Sequence, residues 1–64
     1  QLLGGIMQVG DLVRDNKSRY GVVTEIKNVF KPYIQQVKKM SRIFVQGQYM
    51  WYFAEDLEVI NEGR

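Results

Sequence analysis

The sequence predicts an all-β domain, a single small five-stranded barrel, and three observations carry that prediction. Stretches rich in β-branched and aromatic residues recur along residues 7–61. Clusters of Gly, Asp, Asn and Ser separate them at short intervals, as hairpin turns require. A free sheet of this size also has no means of protecting two long edges, and closing it into a barrel removes them.

The elements follow in order. Met7 to Arg14 reads as a first strand carrying Val9, Leu12 and Val13, with Gly10-Asp11 bending the chain just after entry. Asp15-Asn16-Lys17-Ser18 is a turn cluster, because Asp and Asn side chains bond nearby backbone groups and tolerate left-handed conformations. Tyr20 to Asn28 is a second strand, with Val22, Val23, Thr24 and Ile26 supplying β-branched character. Gly21 inside it marks a bulge or a close approach of another chain segment.

Val29 to Met40 is read as an insertion, a loop or short helix near residues 29–40. Phe30, Tyr33, Ile34, Val37 and Met40 recur at helical spacing, and Pro32 suits a first helical turn. The arm of a long hairpin is the other reading of this stretch.

Ser41 to Gln46 resumes as a strand with Ile43 and Val45 on one face and Arg42, Phe44 and Gln46 on the other. Gln46-Gly47-Gln48 forms the hairpin turn, Gly47 providing a positive φ. In the strand that follows, Tyr49, Trp51 and Phe53 share one face, while Met50, Tyr52 and Ala54 share the other. The size of their rings assigns Trp51 and Phe53, with Leu57, to the barrel interior. Glu55-Asp56 makes and caps a short 3₁₀ turn, and Leu57 to Ile60 closes the sheet. Residues 62–64 read as a frayed tail. Residues 1–6 read as a non-native or disordered extension ahead of Met7, itself a natural start.

Sixty-four residues make one domain, and a small one whose stability margin is thin. There is no Cys to build a disulfide framework or a thiolate site, and no His, the commonest general base and metal ligand. No Gly-rich phosphate loop is present, and no Ser has an imidazole to activate it. Glu55 and Asp56 suit a helical-turn cap better than a cation cage shared with Glu58, which needs oxygens converging on one point. The expectation is therefore a protein that is not an enzyme, with no catalytic residues, no metal and no cofactor. No apolar run approaches the roughly 20 residues that cross a membrane, and residues 1–6 are too short and uncharged for a secretory signal.

The formal charge of +2 hides an asymmetry. Arg14, Lys17, Arg19, Lys27, Lys31, Lys38, Lys39 and Arg42 face only Asp15 and Glu25 between residues 14 and 42, whereas the last ten residues carry four acids and one base. Such a basic centre suits nucleic acid or an acidic protein surface, and it equally suits the solvated edges of a small sheet.

Val9-Gly10-Asp11-Leu12-Val13-Arg14 followed by Tyr20-Gly21-Val22-Val23-Thr24-Glu25-Ile26 resembles the opening of SH3-like small barrels of the KOW and Tudor type. The ending Trp51-Tyr52-Phe53-Ala54-Glu55-Asp56-Leu57-Glu58-Val59-Ile60 is similar to their last strands and 3₁₀ turn, in particular to short phage-encoded SH3-like proteins. The resemblance implies a binding module of a phage or mobile element, in the host cytoplasm or the virion. Tyr49 to Asn61 also resembles, more distantly, the closing segment of the plasmid-borne type II dihydrofolate reductases, tetramers of SH3-like barrels around a pore. Tyr52 and Leu57-Glu58-Val59-Ile60-Asn61 match that family, but Met50 stands where it has the glutamine that bonds cofactor and substrate. A thioether cannot donate a hydrogen bond.

The expected function is a non-catalytic binding module, with two partner classes in competition. In one, Arg14, Lys17, Arg19, Lys38, Lys39 and Arg42 hold nucleic-acid backbone. In the other, the domain acts as a protein adaptor or self-associating structural subunit. Tyr20, Tyr33, Phe44 and Tyr52 are the rings expected to form an aromatic platform or a homo-oligomer interface.

Overall fold

A computed structural model describes residues 6–61; the readings of residues 1–5 and 62–64 lie outside the described residues. The chain forms β1 (Leu12–Arg14), β2 (Tyr20–Lys31), β3 (Gln36–Val45), β4 (Gln48–Phe53), a 3₁₀ turn (Ala54–Asp56) and β5 (Glu58–Asn61). All pairings are antiparallel, in the order β4-β3-β2-β1-β5. The all-β class and the five strands are as expected. Closure is not: β4 and β5 each pair on one side only, so the sheet is open rather than a closed barrel.

β1 is shorter than the predicted strand because the chain turns first. Asp11 N–H donates to the Gln8 carbonyl (3.1 Å), Gln8 N–H donates to Asp11 Oδ2 (2.9 Å), and Gly10 sits at φ +98°. That is the Gly-Asp bend, with Gly where a type II turn demands positive φ. Gly21 meets the expected close approach: a Cβ there would lie 2.8 Å from the Phe44 carbonyl oxygen.

The predicted insertion at residues 29–40 is instead the far end of one long β2–β3 hairpin. Strand pairing runs to Lys31↔Gln36, and Phe30 faces Val37 across the ladder. The loop 32–35 makes two overlapping turns, Ile34 N–H to the Lys31 carbonyl and Gln35 N–H to the Pro32 carbonyl, before Gln35 at φ 52° reverses the chain. Pro32 thus occupies the favoured second position of a type I-like turn. The helical spacing came from one coil of turn flanked by a cross-strand apolar pair.

Register decides the faces. Val23 pairs Ile43 but Glu25 pairs Arg42, so Thr24 is an extra residue in β2, a bulge that strengthens local twist. Met7, Val13, Val23, Ile43 and Val45 form the buried core, and Ile26, Met50, Tyr52, Ala54, Leu57 and Val59 pack against it. Leu57 is inward as expected. Trp51 and Phe53 are not in this core: Trp51 remains 42% exposed, and the inward residues of β4 are Met50 and Tyr52. Both faces of β4 are apolar, so alternation left its orientation open, and the inward set is the one whose Tyr52 hydroxyl reaches Asp15 and Arg19. The 3₁₀ turn forms where expected, with Glu55 and Asp56 in its first turn but no side-chain cap.

Candidate nucleic-acid interface

The pleat that buries Ile43 and Val45 turns Arg42 and Phe44 outward. From β3 the outer face is read in rows. Val22, Phe44 and Tyr49 form one; Glu25, Arg42 and Trp51 the next; Lys27, Met40 and Phe53 the third. Three cation–ring contacts run along β4. Arg42 Cζ lies 4.7 Å from the Tyr49 ring centroid, Lys27 Nζ 4.6 Å from that of Trp51, and Lys31 Nζ 5.8 Å from that of Phe53. All fall within reach of the attraction between a cation and a ring quadrupole. Phe44 and Tyr49 add a tilted ring pair with centroids 5.1 Å apart.

The six cations expected to hold nucleic acid are not gathered into one patch. Arg14 pairs with Glu58 across β1 and β5, Lys38 with Glu55 (3.1 Å), and Arg42 with Glu25 (3.7 Å). Arg42 also donates through Nε to Thr24 Oγ1 (3.0 Å). Arg19 pairs with Asp15 (2.9 Å). Lys17 lies in the β1–β2 turn and Lys39 on the hairpin arm, both exposed. Lys27 and Lys31 are not among the six cations expected at the site. Among the described residues neither has a carboxylate partner, and each sits over a ring. The signal lay in the strand period: Ile26 inward puts Lys27 outward, provided the β2–β3 register is known.

The four platform rings separate as well. Tyr20 and Phe44 are exposed on the outer face, and Tyr33 is exposed at the hairpin tip. Tyr52 points inward and is spoken for. Its hydroxyl donates to Asp15 Oδ2 (2.7 Å) and accepts from Arg19 Nη2 (3.1 Å). Asp15 also accepts from the Lys17 and Arg19 backbone N–H groups and from Arg19 Nε, each at 2.9 Å. Burial of Asp15 pushes its acidity toward a higher pKa, but those bonds from Arg19, Tyr52 and Lys17 outweigh it and hold the carboxyl well below the usual carboxylate range. Burial, then the Asp15 carboxylate beside it, raises the pKa of the Tyr52 hydroxyl. The knot ties the β1–β2 turn to β4, which the ladder alone separates from β2 by β3.

Met50 is also turned inward, its Sδ 3.8 Å from the Tyr52 hydroxyl. Among the described residues no cluster of three or more His, Cys, Asp or Glu is placed to hold a metal ion, and no helix is long and apolar enough to cross a membrane. No protein-family model matches this chain, and neither a curated protein nor a solved structure matches it.

Proposed function

We propose that this protein is a non-catalytic binding module that holds nucleic acid on the outer face of β2, β3 and β4, on a scaffold of the SH3-like kind. One observation carries the reading: Arg42, Lys27 and Lys31 stand in line over three rings, and among the described residues the two lysines have no carboxylate of their own. The hairpin extends the same charge, since residues 27–40 contain four lysines and no acid. The inward thioether of Met50, in the position of the reductase glutamine, supports binding over catalysis.

The test is fluorescence anisotropy of a labelled oligonucleotide across a salt series. Three phosphate contacts give a log–log slope near −2 for a single strand, a loss of roughly twentyfold between 50 and 200 mM salt. No binding at low salt removes the reading.

A self-associating subunit is the second reading, favoured by the hairpin arm. Phe30 and Val37 face each other there at 57% and 64% exposure, beyond the core. Sedimentation decides it: a monomer at high protein concentration rejects the subunit, and a concentration-dependent dimer lost in a Phe30→Ser variant supports it.

A further inference from the structure

The aromatic side chains of β4 have a spacing that selects among nucleic acids. Tyr49, Trp51 and Phe53 occur at every second residue of an extended strand, on the face opposite Met50 and Tyr52. Two residues of strand rise about 6.7 Å, roughly twice the 3.4 Å separation of stacked bases. Neighbouring rings at that period are too far apart to stack on each other, and the gap between them is one base thick. Tyr49 and Trp51 stay 60% and 42% exposed with the cations in place, so a base reaches them without moving any core residue.

We propose that this face is a stacking ladder for unpaired bases: Tyr49, Trp51 and Phe53 take successive bases of a single strand, and Arg42, Lys27 and Lys31 meet its phosphates. The proposal rests on the nucleic-acid reading above and adds the strand state and the ring register. Charge selects the occupant. The face carries Arg42, Lys27 and Lys31 against one carboxylate, Glu25, which pairs with Arg42, so its surplus positive charge complements a polyanion, whereas a second copy laid on the same face brings that surplus together and repels. A duplex satisfies the cations but keeps its bases paired inside, leaving the exposed rings against nothing they can stack on.

Trp51 is the only tryptophan in the chain, so its emission reports the site directly. The experiment titrates the protein with oligothymidylate and, separately, with a mixed-sequence duplex of equal length, both at about 50 mM salt where phosphate contacts are strong. The expected result is quenching of Trp51 by the single strand and affinity at least about tenfold above that for the duplex. Tyr49→Ala is expected to weaken single-strand binding about tenfold and Tyr49→Phe to preserve it, since stacking needs the ring and not the hydroxyl. Lys27→Gln is expected to reduce the salt slope by about 0.7. Circular dichroism of each variant separates lost binding from lost fold.

Binding without quenching, equal affinity for duplex, or loss of binding in folded Tyr49→Phe overturns the ladder while leaving the module reading standing. No binding to either strand state overturns both. An emission change that follows protein concentration and ignores oligonucleotide overturns the ladder in favour of a second copy.

Discussion

Asp15 is the residue whose chemistry reaches furthest. Its carboxylate receives two backbone N–H groups, the Arg19 guanidinium and the Tyr52 hydroxyl, so the ionised form is held by the fold and the neutral form is not. With the folded pKa below the unfolded value of about 3.9, the stabilisation is complete above that value and drains away as pH falls below it. Thermal melts from pH 7 to pH 2 are expected to show a falling Tm below about pH 4, and Asp15→Asn to lower Tm at pH 7 and flatten that acid limb. Tyr52→Phe, which removes the bond donated to Asp15 and the one accepted from Arg19, is expected to cost about 2–3 kcal/mol by urea denaturation. Asp15 was visible in the sequence as a turn former. That its partner is a ring 37 residues away was not, because no local pattern encodes such a contact.

At the scale of elements, the two hairpins show how turn chemistry limits what can be read. Gln46-Gly47 lies at φ 51° and 82° between Val45 and Gln48, which face each other in the ladder. That is the two-residue loop with positive φ at both positions, for which Asn-Gly is the preferred pair. Gln46→Asn is therefore expected to stabilise the fold by about 0.5 kcal/mol, measured as a higher urea midpoint at unchanged m-value. The Gly made this turn legible. The 32–35 loop has no Gly, its left-handed residue is Gln35, and its Pro32 suits a first helical turn as well as a β-turn, so its composition did not single out a reversal. Apolar residues at helical spacing then read as an inserted loop or helix, while the true signal was two extended arms in register.

At the scale of the molecule, five buried apolar residues among those described carry the core, and the sheet remains open at β4 and β5. A chain of this length has a total stability of roughly 3–10 kcal/mol. Ile43 is fully buried near the C-terminal end of β3, and its truncation to Ala costs about 2–5 kcal/mol. Ile43→Ala is expected to populate unfolded chains at room temperature, seen as loss of dispersed amide signals in a proton–nitrogen NMR spectrum. Outer-face variants such as Lys27→Gln are expected to leave that spectrum folded. Trp51 and Phe53 stand over the outer face, where lysines cover them in part.

The sequence by itself determined what local chemistry dictates. The all-β class came from β-branched strands, the Gly10-Asp11 and Gly47 turns from positive φ, the inward Ile43 and Val45 with outward Phe44 from a two-residue period, and the 3₁₀ turn from its acidic start. Only the tertiary structure decided which face of β4 is inside, because Tyr49-Trp51-Phe53 and Met50-Tyr52-Ala54 are both apolar and alternation cannot choose between them. That choice follows from cross-strand register, from the extra residue at Thr24, and from a hydroxyl on Tyr52 that finds Asp15 and Arg19 inside. It also turned the aromatic strand from core filling into an outer-face row of rings and cations, with Tyr49 and Trp51 exposed and Phe53 half-buried.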